Sequence, residues 1–186
     1  MRIRLCSMTE TASSWCIPVH KKLSLREIVL FGMLGALTFS AKLAMAGLYN
    51  IEPVSLFVML FAVTFGKKCV YPIYTYVAME YLIYGFNLWS VNYLYIWAIL
   101  AFMAWMMRDM EHPLGWAVLS GGFGLMFGLL CAPVYLFSGG LGYAIAWWSN
   151  GIIADLLHCA GNFVIALVLF VPMRKLLHKL YSNIAR

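Results

Sequence analysis

From Ser24 onward the chain is a succession of long apolar runs separated by short polar breaks. A helix that crosses a bilayer needs about 20 apolar residues, fewer if it is short and upright. Six runs fit, at about 25–48, 52–66, 70–86, 92–107, 113–136 and 148–173. The first opens on Ser24-Leu25-Arg26-Glu27, the S-x-x-E pattern whose hydroxyl and carboxylate satisfy free backbone donors at a helix start. The second carries Pro53 in its first turn, where a missing N–H does no harm. The predicted fold is an all-α integral membrane protein, a six-transmembrane-helix bundle over residues 24–180. A polar N-terminal tail is expected over 1–23 and a short C-terminal tail over 181–186.

Composition supports the pattern. Of 186 residues, 64% are hydrophobic and 11% charged, and the mean hydropathy is +0.86. Soluble domains carry about a quarter charged residues, so this apolar surface exceeds what one water-soluble core hides. The length allows one compact domain. The five cysteines, Cys6, Cys16, Cys69, Cys131 and Cys159, are scattered without a CxxC pair. They imply neither a disulfide framework nor a zinc site and read as small apolar fillers.

Charge then orients the bundle. With the N-terminus inside, all of the 13 basic residues except Lys42 become cytoplasmic, and the outer loops hold no Lys or Arg. This is the positive-inside rule. A re-entrant hairpin over 53–86 would bury Lys67 and Lys68 at its tip in hydrocarbon, at high cost. The net charge of +6 is thus a topology signal, with no interleaved nucleic-acid-binding pattern behind it.

Four ionisable residues break the apolar runs: Lys42, Glu80, Asp155 and His158. Lys42 and Glu80 each lie about six residues before the outer end of a span, and Asp155 about seven residues into the last. At 1.5 Å per residue that is roughly 9 Å deep, one shared level in the outer third of the membrane, with Glu52 just above. Charges there must face one another or a wet cavity. Asp155, His158 and Asn162 share one helix face by their i, i+3, i+7 spacing. They form either a pocket lining or an internal hydrogen-bond network, and Lys42 either contacts a ligand or makes a buried ion pair with Asp155 or Glu80 that only fixes packing. A metal shared by Asp155 and His158 lacks a further nearby His or Cys ligand. Trp89, Tyr93, Tyr95, Trp97, Tyr143, Trp147 and Trp148 gather at the outer side. They read as an interfacial aromatic belt and equally as the walls of a binding pocket.

The first run also places Gly32, Ala36, Ser40 and Ala44 four residues apart. Such a small-residue face admits close approach of a helix, from within the bundle or from another subunit. Gly121, Gly124 and Gly128 offer a similar face on the fifth run.

Together with the stretches SLREIVLFGMLGALTFSAKLAMAGLYNIEPVSLFVMLFAVTFG and GNFVIALVLFVPMRKLLHKL, these features resemble the substrate-binding S components of energy-coupling factor (ECF) transporters, over about residues 24–180. The resemblance implies a non-enzymatic, cofactor-free subunit of an ATP-driven importer in a prokaryotic cell membrane. Such a subunit captures a water-soluble vitamin or related micronutrient from outside, and works with a transmembrane T subunit and two cytoplasmic ATPases. The family's Ala-xxx-Ala contact with the T subunit would fall on Gly32, Ala36 and Ser40, a departure from the clean Ala pair. Glu80, Asp155, His158, Asn162 and Lys42 would hydrogen-bond the ligand; Trp89, Tyr93, Trp97, Tyr143 and Trp147 would stack on it. A start of Met1-Arg2-Ile3 differs from the Met-His arm of the family's nickel and cobalt branch, so metal is disfavoured as substrate. The chain lacks a G-x-x-x-x-G-K-[ST] phosphate loop. Two other classes stay open. One is an intramembrane enzyme using Asp155, His158 and Glu80 as an acid–base set. The other is a self-contained secondary transporter, which usually shows internal repeats; none is visible between 25–86 and 92–173.

Overall fold

The computed structural model describes residues 23–48 and 50–184, and every regular element among them is helical. They are α1 (Leu25–Ala44), α2 (Val54–Phe65), α3 (Val70–Tyr84), α4 (Leu88–Asn92), α5 (Ile96–Met106), α6 (Pro113–Leu125) and α7 (Phe127–Ile184). Counted as continuous stretches, four are long and apolar enough to cross a membrane: Leu25–Ala44, Val54–Tyr84, Leu88–Met106 and Pro113–Ile184.

Local chemistry sets the helix ends. Ser24 and Glu27 form the expected capping box on α1. Pro113 occupies the first turn of α6, where its fixed φ suits the helix. Gly66 ends α2 with φ 55, a conformation that costs side-chain-bearing residues energy. A 3-10 turn over Gly66–Cys69 then leads into α3. Gly140 breaks α7 with φ 80 and ψ −179.

Contacts between helix ends fix their directions. Glu27 at the start of α1 pairs with Lys68, just ahead of α3. Lys42 near the end of α1 pairs with Glu80 near the end of α3. These two helices therefore run parallel, and α2 returns between their ends. Tyr181, late in α7, donates a hydrogen bond of 2.9 Å to Glu27. The start of α1 and the end of α7 thus share one end of the bundle, called lower below; the Lys42 end is upper.

The core sits around α2. Its sequence is apolar all round, as a fully enclosed helix requires, and residues 54–62 are all buried. Farther down, Trp116 stacks on Phe170 at 4.1 Å between α6 and α7. The outside is equally apolar: Leu82, Phe137 and Ile153 are 82%, 90% and 72% exposed. Faces of this kind belong against hydrocarbon rather than water.

Several expected boundaries shift. The tail expected over 1–23 lies outside the described residues except for Leu23. The C-terminal tail expected from 181 is helical to Ile184. Tyr181 packs edge-on against Phe65 at 4.9 Å, which holds this turn to the bundle. The loop expected over 86–92 contains α4, held by a reciprocal Asn87–Ser90 cap. Most of the loop expected over 137–147 is helix, interrupted at Gly140.

Candidate functional site

Lys42 occupies the centre of the upper half. Its Nζ donates to Tyr93 Oη at 3.0 Å and to Tyr76 Oη at 3.4 Å. Glu80 Oε1 lies 3.0 Å away and Glu52 Oε2 3.7 Å away. The Glu80 oxygen sits outside hydrogen-bonding direction and is held by charge. Nζ also stands 5.0 Å from the Tyr93 ring centroid, within cation–π range. One ammonium thus faces two acidic side chains.

Of the two partners open to Lys42, the structure selects Glu80. Asp155 is engaged elsewhere: both its oxygens accept from the N–H of Gly128 at 3.1 Å. That donor lies just past the interruption between α6 and α7, where Met126 N–H turns back to Gly122 O. A Cβ on Gly128 would stand 2.5 Å from Asp155 Oδ2, so a side chain there would have to displace the carboxylate.

His158 and Asn162 continue the same buried face of α7. Asn162 Nδ2 donates to Ser55 Oγ at 3.0 Å and to Ser120 O at 3.4 Å, tying α7 to α2 and α6. His158 is 1% exposed and rests edge-on against Phe127 at 4.9 Å. Neither of its ring nitrogens meets a protein hydrogen-bond partner, nor does Trp97 Nε1 or Ser120 Oγ. Buried polar atoms left unpaired cost about 1–3 kcal/mol each.

A cavity of about 430 Å³ opens beside this face. Asp155 lies against it, with Trp89, Tyr143 and Trp147 as aromatic walls and Asn50 and Asn150 as amides. Trp147 is braced by stacking on Tyr135 at 3.8 Å. Asn50 Nδ2 donates to Ala154 O at 2.7 Å, so the connection after α1 closes one side. Phe127 lies between the cavity and His158. Trp89 Nε1 in turn donates to Tyr93 Oη at 3.3 Å, linking the cavity wall to the Lys42 cluster.

The predicted residues thus separate into neighbouring groups. Lys42, Glu80 and Tyr93 form the ion cluster; Trp89, Tyr143, Trp147 and Asp155 line the cavity. His158, Asn162 and Trp97 are buried beneath or beside it. Asp155, His158 and Glu80 do not form a hydrogen-bonded acid–base set: Asp155 is bound to Gly128, and the imidazole has no protein partner. Tyr76 was not anticipated, although its spacing of four from Glu80 places it on the same face of α3. Asn50 was also missed; its φ of 58 is a conformation that Asn tolerates better than most residues. Among the described residues no three His, Cys, Asp or Glu side chains form a group suited to a metal ion.

On the first helix, Gly35 is the close-approach residue: a Cβ there would stand 2.6 Å from Thr75 Cβ on α3. Gly32 and Ala36 are half-buried and Ser40 is exposed, with open space at the Gly32 Cβ position. The fold and site define a helical protein with membrane-length apolar segments and an aromatic, acid-lined cavity at one end. No family model, curated protein or solved structure matches the chain.

Proposed function

We propose that the chain is the substrate-capturing S component of an ECF-type importer in a prokaryotic cell membrane. It holds a water-soluble vitamin or related micronutrient in the upper cavity. A transmembrane T subunit and two cytoplasmic ATPases complete the transporter in this reading.

The observation that carries it is the cavity itself. A volume of about 430 Å³ falls within the range that small-molecule sites occupy, about 300–1,000 Å³. Trp89, Tyr143 and Trp147 supply flat apolar contact, while Asp155 and the two amides supply polar contact. Asp155 and the aromatic walls favour a ring bearing an amine or positive charge.

In this reading the turns at Gly66 and Gly140 are reversals, the chain crosses six times, and the start of α1 and the end of α7 lie on the lower side. Lys67, Lys68, Arg108, Arg174, Lys175 and Lys179 then lie on that side, which the positive-inside rule makes cytoplasmic. The cavity consequently opens outward. The Gly32, Ala36 and Ser40 face is left open by the packing of α1 on α3 and supplies the approach for the T subunit.

The test is to identify, by mass spectrometry, the small molecule that co-purifies with the full chain in mild detergent, and then to titrate it back. Asp155→Asn keeps an oxygen for Gly128 N–H and removes the charge. It is expected to bind the compound at least about tenfold more weakly, the effect of losing roughly 1.5 kcal/mol from a charged hydrogen bond. Trp147→Ala is expected to weaken binding about fivefold, from about 1 kcal/mol of aromatic contact. Wild-type affinity in both variants would remove the cavity from consideration.

A further inference from the structure

At the lower end the chain carries a second, unrelated construction. A basic depression of about 550 Å³ is lined by Arg174, Lys175, His178 and Lys179, with Glu111 as its acid. Arg174 is fixed in place: Nη1 donates to Met110 O at 3.0 Å and Nη2 to Arg108 O at 2.9 Å. Its guanidinium also stands 5.9 Å from the Trp116 ring centroid. Nearby, Arg108 lies 5.0 Å from the Trp105 ring centroid. Indole rings beneath cations are what the headgroup level of a membrane selects.

The connection 107–112 forms a rim shared with an apolar groove. Glu111 faces the basic depression, and its neighbour His112 faces the groove. The groove, about 700 Å³, runs between α5 and α6 past Met103, Leu114, Val118, Gly122 and Met126. From Leu114 to Met126 it extends about 18 Å at 1.5 Å per residue. That matches the hydrocarbon depth of one leaflet, about 15 Å. Gly122 borders open space in it, since a Cβ there would meet nothing within 4 Å.

We infer that this composite surface binds one anionic phospholipid. The phosphate-bearing headgroup sits among Arg174, Lys175 and Lys179, and an acyl chain lies in the α5–α6 groove. Charge selects the headgroup: three cations and His178 face the single acid Glu111. Basic depressions at the ends of membrane helices suit anionic headgroups, and the adjoining groove offers almost no polar partner for anything but a hydrocarbon chain. This site is independent of the upper cavity and of whatever that cavity holds.

The test uses the full chain, delipidated in detergent and mixed with phosphatidylglycerol, phosphatidylcholine or inorganic phosphate. Bound lipid is counted by native mass spectrometry. Phosphatidylglycerol is expected to be retained at one per chain, at least about tenfold in preference to phosphatidylcholine, and millimolar phosphate should not displace it. Each basic residue near an anionic surface contributes about 1 kcal/mol, or about fivefold. Lys175→Gln with Lys179→Gln is therefore expected to weaken retention about 25-fold. Gly122→Leu, which fills open space and should leave the melting temperature unchanged, is expected to weaken it severalfold. Equal retention of the two lipids would overturn the inference. So would displacement by inorganic phosphate, which marks a free-anion site, or full retention by folded Gly122→Leu, which removes the groove.

Discussion

Lys42→Met is expected to lower stability by about 3–5 kcal/mol, the cost of removing one partner from a buried ion pair. The ammonium balances Glu80 at 3.0 Å and Glu52 at 3.7 Å, and it holds two tyrosine hydroxyls. Without it, two carboxylates face each other at a level where water is scarce. The measurement is thermal unfolding of the detergent-solubilised protein, followed by tryptophan fluorescence. Adding Glu52→Gln and Glu80→Gln to Lys42→Met should recover most of the loss, because neutral amides no longer demand a counter-charge. A Lys42→Met protein that melts with the wild type would show that charge pairing does not hold this centre together.

Gly124→Ala is also expected to lower stability. A Cβ at 124 would stand 2.9 Å from the His158 carbonyl carbon and oxygen and 3.0 Å from Asn162 Nδ2. Backbone cannot rotate away, so α6 and α7 must separate around the Asn162 bonds. Overpacking of this kind costs about 1–3 kcal/mol. Gly122→Ala supplies the control on the same helix, since its Cβ meets nothing within 4 Å. The two variants should differ clearly in melting temperature. Equal melting would mean that α6 and α7 are not in close contact at Gly124.

The contrast between those glycines shows what is legible in the chain. Periodicity identifies Asp155, His158 and Asn162 as one face, and the structure buries all three. The S-x-x-E start of α1 and the small-residue face of the fifth run are likewise local patterns with local physical meaning. Depth along a helix is also countable, which is why Lys42, Glu80 and Asp155 can be assigned one level. Rotation around the helix axes and the order of neighbours are set by tertiary packing. The choice between Glu80 and Asp155 as the partner of Lys42 is therefore hidden. So is the backbone donor of Asp155, because no proline announces the interruption at Met126 that leads into Gly128. The short α4 depends on an Asn87–Ser90 cap inside a segment too brief for periodicity to show.

The parallel pair α1 and α3 is fastened near both ends by opposite charges and brought close at its middle by Gly35. Sliding one helix along the other would break Glu27–Lys68 and Lys42–Glu80 together, and twisting them apart would expose both acids. The pair consequently behaves as a single plank. Any working motion that displaces α1 carries α3 with it and delivers its strain to the connections at 45–53, 66–69 and 85–87. The Asn50–Ala154 bond lies in the first of these connections, which makes it the joint where such movement would be felt by the cavity.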